Sequence, residues 1–175
     1  MGTTLASNAV IENIVANYIK QLSTTPSTPC TQYYLMTSHD VKLQSGFCSQ
    51  FCAWHGYCSP SLCPTILPFG FIGDPAQCPS ACASQTPNGN FEADSMINLL
   101  AHELAETVTD FQLNAWFDSN GAETGDKCAW TFGTSTPITS GANSGAYYNV
   151  VLQNNLKVYV QQLWRLTTMD CGLAL

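Results

Sequence analysis

Apolar residues near the N-terminus recur at helical intervals. Ile11, Ile14, Val15, Tyr18, Ile19 and Leu22 follow the i, i+3, i+4, i+7 pattern, which predicts a helix with one buried face over residues 4–22. The stretch "STTPSTP" then breaks the chain, with two prolines among hydroxyl residues. "TQYYLMTS" has the aromatic and apolar density of a core strand. Residues 44–90 are rich in Cys, Pro, Gly and Ser and read as an irregular region tied by disulfides. Its one apolar island, "TILPFGFIGD", is at most an edge strand, because Pro68 interrupts it. Helical periodicity returns over residues 94–110, with Asp94 or Ser95 as cap. Met96, Leu99, Leu100, Leu104 and Val108 form its expected buried stripe. In the C-terminal third, within residues 145–165, "AYYNVVL" and "LKVYVQQLW" flank "QNN" and predict a hairpin. No repeat or linker divides the chain. The expectation is a single α+β, disulfide-rich domain over residues 1–175, its central helix packed on a small mixed sheet.

With 45% hydrophobic and only 10% charged residues, the composition is that of a folded chain. Net charge is −7 and the five basic residues are scattered, which argues against nucleic-acid binding. No apolar run approaches the ~20 residues of a membrane span. Nine cysteines point to an oxidising compartment. The N-terminal stretch lacks a basic and apolar signal-peptide pattern, so the chain reads as a mature piece of a longer secreted precursor.

Two C-x-x-x-C units, Cys48/Cys52 and Cys78/Cys82, place their sulfurs on one face of a helical turn. Two such turns laid antiparallel would pair Cys48 with Cys82 and Cys52 with Cys78. Four thiolates could instead hold zinc, but an oxidising compartment favours disulfides. Cys58 and Cys63 can close a small loop. Cys128 and Cys171 remain as a pair, and Cys30 is the odd thiol, buried or bonded to another chain.

The segment "LLAHELAETVTDF" begins like the zinc-protease signature H-E-x-x-H, with Glu106 where the second histidine belongs. At 100° per residue, His102, Glu106 and Asp110 lie along one stripe of a helix, and Glu103 is one step round. Glutamate is a legitimate zinc ligand, and it nudges preference toward harder ions, so manganese and calcium stand beside zinc. Eight of the twelve acidic residues fall within residues 92–126. Such a concentration repels itself unless it is spread in solvent or shares a cation. A solvated helix face is the plain alternative. His39 reads as a turn residue. His55, in "CAWHGYC", could return over the helix as a ligand, but a lone histidine beside Trp54 more often packs in the core. "DSNGAETGD" offers closely spaced oxygens yet fails the EF-hand template. Trp54, Trp116, Trp130 and Trp164 could stack on sugar rings, although core packing is the usual use of most.

Several of these stretches together resemble the EXORDIUM, or phosphate-induced, family of plant extracellular proteins. They are the strand with Tyr34, Thr37, Asp40 and Val41, then "FCSQFCAWHG", "ILPFGFIGDPAQCPSAC", "MINLLAHELAE", "LNAWFDSNGAETGDKC" and the terminal "LWR…CG". The resemblance implies a secreted, cell-wall-associated protein whose activity is not settled. It also implies a zincin-like core with His102 and Glu106 as metal ligands and Glu103 as the base that activates water. Glu123 or Asp126 would supply the third ligand. Two functions follow as expectations. One is a metal-dependent hydrolase acting on extracellular peptide or related bonds. The other is a non-catalytic module that self-associates or binds matrix and cell-wall components, its metal and disulfides only stabilising it.

Overall fold

A computed structural model describes residues 3–22, 31–63 and 65–173. Cys30 and the proline-rich break before it lie outside the described residues. The chain opens with β1 (Thr3–Leu5) and α1 (Asn8–Gln21), followed by β2 (Tyr33–Met36), β3 (Val41–Leu43), β4 (Ala53–Cys58) and β5 (Leu67–Ile72). The short α2 (Pro79–Cys82) precedes the long α3 (Phe91–Asp110). The first helix therefore starts later than its periodicity suggests, because Thr3–Leu5 pairs in parallel with β3 instead. Its buried stripe is narrower than expected: Ile11, Val15, Ala16 and Ile19 are inside, whereas Ile14 and Tyr18 are exposed.

The central sheet runs β2-β5-β4, parallel on one side of β5 and antiparallel on the other. The island with Pro68 is thus the central strand, not an edge. Pairing with β2 begins only at Phe69, so Pro68 occupies the part of β5 that has a single neighbour, where a missing N–H is tolerated. All six residues of β5 are buried, which is why they read as a continuous apolar run rather than an alternation.

Strand parity sorts the two faces. Leu67, Phe69 and Phe71 join the α1 residues in the larger core cluster, where Phe47 and Trp54 meet the phenylalanine rings edge-on. Ile72 and Ala53 face the other way and pack with Met96 and Leu99 of α3. The sheet is therefore sandwiched between α1 and α3. His55 has the same parity as Ala53 and so belongs to the α3 face. Its cross-strand partner is Gly70. A Cβ there would lie 2.7 Å from the Tyr34 ring and 2.8 Å from the Trp54 carbonyl oxygen, which explains the glycine.

The third helix departs most from its sequence pattern. Its N-cap is Asn90, whose side chain accepts from Ala93 N, so the helix starts before Asp94 and Ser95. Its buried side chains are largely polar: Asp94, Ser95, Asn98, Glu103, Glu106, Thr107 and Asp110. Leu104 and Val108, expected inside, are exposed and line an open apolar groove against the C-terminal strands. The polar residues are inside because several of them hold a neighbouring segment. Asp94 accepts from the backbone of Asn88 and Asn90, Ser95 from Ser84 N, Asn98 from Gln161 N, and Asp110 from Asn114 N and Ala115 N. Periodicity counts apolar residues, so it cannot see a helix whose buried face is built to hold loops.

The C-terminal third forms three short pairings. β6 (Thr136–Pro137) pairs with β7 (Tyr147–Tyr148), and β8 (Val150–Val151) with β9 (Lys157–Val158). β10 (Leu163–Arg165) pairs with β11 (Asp170–Gly172). The predicted hairpin survives as β8–β9 alone. Asn149 organises this region by donating to the Phe132 and Val160 carbonyls while accepting from Val160 N.

Among the described residues four disulfides hold the fold: Cys48–Cys78, Cys52–Cys82, Cys58–Cys63 and Cys128–Cys171. The first two run in parallel register, contrary to the antiparallel expectation. Only Cys78–Cys82 lies on a helical turn; residues 48–52 form a non-helical turn in which Cys48 adopts φ 70°. The molecule is a single α+β, disulfide-rich domain.

Candidate functional site

The site is assembled where α3 faces β4 and the loop that follows α3. That helix offers His102, Glu103 and Glu106, β4 offers His55, and the loop after α3 offers Glu123 and Asp126. Together they line a cleft of about 480 Å³. His55 Nε2 lies 3.2 Å from each carboxylate oxygen of Glu123 and 3.8 Å from Glu106 Oε2. His102 Nε2 lies 3.2 Å from Glu106 Oε1 and 3.5 Å from Asp126 Oδ1. Each ring keeps its Nδ1 buried and without a hydrogen-bond partner, so it is oriented through Nε2 alone. The donor atoms form two triads within metal-binding reach, His55–Glu106–Glu123 and His102–Glu103–Glu106, each with its atoms within 4.8 Å of one another.

Glu106 is common to both triads, and it is 3% exposed, which shields its charge from water. Its Oε1 also accepts from the backbone N–H groups of Gly125 (3.1 Å) and Asp126 (3.0 Å), pinning the 123–126 loop to the helix. That approach needs a residue without a side chain, because a Cβ on Gly125 would stand 2.9 Å from Glu106 Oε1 and from the His102 ring. The Cys128–Cys171 bridge anchors the same loop from its other end.

The electrostatics follow from this crowding. Burial of Glu103 disfavours its charged form, and Glu106 beside it adds to the effect, so its pKa is raised to about 8 despite His102. Burial alone would lower His102, but its bonds to Asp126 and Glu106 outweigh that and raise it to about 10. His55 is raised in the same way, burial being overcome chiefly by Glu123. Asp126 is lowered, first by its bond to His102. The nearest lysine, Lys127, is engaged with Asp118 at 2.9 Å. Four acidic side chains thus face two imidazoles, and Glu103 is the one whose burial favours the protonated form. Imidazole and carboxylate donors around such an excess of negative charge suit a divalent cation of the zinc or manganese type. The residues present fit the group.

His102, Glu106 and Glu103 stand where the helical spacing puts them, and Glu123 reaches the same cleft. Asp126 is half-exposed at the rim, touches His102, and belongs to neither triad. Asp110 is spent on the backbone amides of Asn114 and Ala115. Asp118 is a turn residue, accepting from Asn120 N and Ala122 N. His39 is in an exposed turn. Trp54 packs in the core, but Trp116 and Trp130 are exposed. The residue undervalued by sequence reasoning is His55, expected to pack rather than to reach the carboxylates. The available signal was parity: once "AWHGYC" is a strand, Ala53 and His55 share the face that meets α3.

The family model for the phosphate-induced protein 1 conserved region matches residues 1–174. Protein EXORDIUM-like 3 of Arabidopsis thaliana is 31% identical over 195 residues, covering 97% of this chain and 56% of its own. Protein EXORDIUM-like 5 of the same plant is 26% identical over 188 residues, covering 93% and 52%. The chain spans about half the length of the curated relatives it matches. No solved structure matches it. Family model and relatives agree over nearly the whole sequence, and the chain belongs to the phosphate-induced protein 1, or EXORDIUM-like, family.

Proposed function

We propose that the cleft holds one divalent cation, zinc before manganese or calcium, and that the protein is an extracellular metal-dependent hydrolase of peptide or related bonds. The observation that carries this reading is the pair of donor triads sharing Glu106. His55, Glu106 and Glu123 would be the principal ligands, with His102 entering from the second triad. Asp126 would hold His102 rather than bind the ion. A bound cation would supply Lewis acidity toward a carbonyl oxygen. Glu103 is the proton carrier. Its carboxyl is buried beside the ligands, where it can take a proton from water or return one to a leaving group. Four disulfides support an oxidising, extracellular setting. Among the described residues no helix is long and apolar enough to cross a membrane.

The test is hydrolysis of a fluorogenic peptide library by the zinc-loaded protein, alongside Glu103→Gln. Cleavage lost in the variant while metal content and melting temperature hold supports catalysis. A competing structural reading rests on Glu106 Oε1, which already fastens the 123–126 loop through two backbone amides. On that reading the cation only reinforces the fold of a module in a wall, sheath or self-assembled matrix. Zinc-dependent stability without turnover of any peptide would favour it.

A further inference from the structure

The cleft carries two apolar side chains that the fold leaves largely exposed, although the Trp130 ring also meets Phe132 at 6.4 Å between centroids. Trp130 and Leu113 both line it and are 43% and 53% exposed. Each has a positive φ of 57°, a conformation uncommon for residues with a side chain. Both conformations are enforced from beneath. Beyond Leu113, the buried Asp110 carboxylate accepts from Asn114 N and Ala115 N, fixing the turn off α3. At Trp130, the backbone N–H donates to the buried Gln161 carboxamide, which in turn donates to Asn98 of α3. Cys128, two residues earlier, is tied to Cys171. The opposite wall, residues 48–52, is stapled through Cys48–Cys78 and Cys52–Cys82. A rigid cleft that holds an indole and a leucine outward is preorganised for a ligand. Its volume of about 480 Å³ is that of a small-molecule or side-chain pocket.

We propose that Trp130 and Leu113 form an apolar clamp at the mouth of the cleft. It grips an aromatic or large aliphatic substituent of the ligand whose polar group meets the His55–Glu106–Glu123 cluster. They are then the specificity-determining residues of the site, and the proposal rests on the metal reading given above. The lining also holds Phe51, Leu99 and Ala129 beside the polar Ser49 and Gln50, and the amide of Gln161 is committed to Trp130 and Asn98. That surface favours an apolar group over a hydroxyl-rich one.

The test compares two zinc-binding probes by calorimetry on the zinc-loaded chain. Acetohydroxamate reports the metal centre alone; 3-phenylpropionohydroxamate adds one aromatic group. The clamp predicts that the phenyl compound binds roughly tenfold tighter or better. Trp130→Ala and Leu113→Ala each shrink that ratio, with acetohydroxamate affinity, zinc content and melting temperature unchanged, while Trp130→Phe keeps most of it. Equal affinity for both probes, or a ratio untouched in Trp130→Ala, overturns the clamp and leaves the metal reading standing. Binding of cellobiose that Trp130→Ala abolishes would also overturn it, in favour of sugar stacking. Failure of the protein to take up zinc or bind acetohydroxamate removes both readings together.

Discussion

His55 Nε2 stands 3.2 Å from each carboxylate oxygen of Glu123, across 68 residues of sequence. This one relationship joins the edge strand β4 to the loop that follows α3, with Glu106 between them at 3.8 Å from the same nitrogen. The site is therefore a junction of sheet, helix and loop, not a property of the helix motif by itself.

Proton linkage is the first consequence. In the metal-free protein His102, with a pKa of about 10, and Glu103, at about 8, both carry protons at neutral pH. Zinc must displace protons from its ligands, so binding at pH 7 should release them and tighten as pH rises. Calorimetry in two buffers of different ionisation enthalpy measures the release. A heat independent of buffer would mean that the ring nitrogens are not ligands.

Stability of the chelator-treated protein should move the opposite way. Folding raises Glu103 from its ordinary 4.5 to about 8 and His102 from 6.5 to about 10. The folded state thus binds protons more tightly than the unfolded chain. The stability this contributes is present in full below the ordinary values and is lost as pH climbs through the raised ones. Asp126, lowered by His102, contributes above its ordinary value and loses that only in acid. Melting temperature without metal should therefore fall between roughly pH 5 and 9, while the increment on adding zinc grows over the same interval. Parallel curves with and without zinc would contradict this.

Gly125→Ala probes the contact between the 123–126 loop and the two helix ligands. The new methyl would stand 2.9 Å from the His102 ring and Glu106 Oε1, while the backbone at Gly125 (φ −78°) accepts alanine without strain. Zinc affinity should drop on the order of 10–100-fold, as for other changes that misorient ligands. The same contact holds the 123–126 loop on α3, so the chelated protein should also melt somewhat lower, and affinities are compared where both proteins are folded. Unchanged affinity would place the metal elsewhere.

Removing the Cys128–Cys171 bridge by a double serine substitution should cost about 2–4 kcal/mol, from a closure of 43 residues. It should also weaken zinc binding, because the loop with Glu123 loses its far anchor. Chemical denaturation and zinc titration of the same variant read the two effects separately.

The sequence made the helix and its acids legible because helical spacing is a strong local signal: His102, Glu103 and Glu106 come together on α3 as the spacing places them. It hid the sheet. Pro68 and Gly70 make "LPFGFI" look like an interrupted edge, yet the proline falls where β5 has one neighbour and the glycine where the Tyr34 ring packs. With β5 read as an edge, the strand β4 beside it stays hidden, and His55 has no face to belong to. The buried polar side of α3 was hidden for another reason. Asp94, Ser95 and Asp110 are inside because they hold the turns just before and after the helix, and Asn98 because Gln161, 63 residues away, supplies its partner; hydrophobic periodicity announces neither.

The most direct measurement is zinc titration of the metal-stripped chain beside His55→Ala, with His39→Ala as control. The account predicts about one equivalent bound by the wild type and by the His39 variant. It predicts a loss of at least tenfold in affinity for His55→Ala, from a residue outside the helix motif. No zinc uptake by the wild type, or uptake by His55→Ala equal to it, would contradict the shared-Glu106 metal centre.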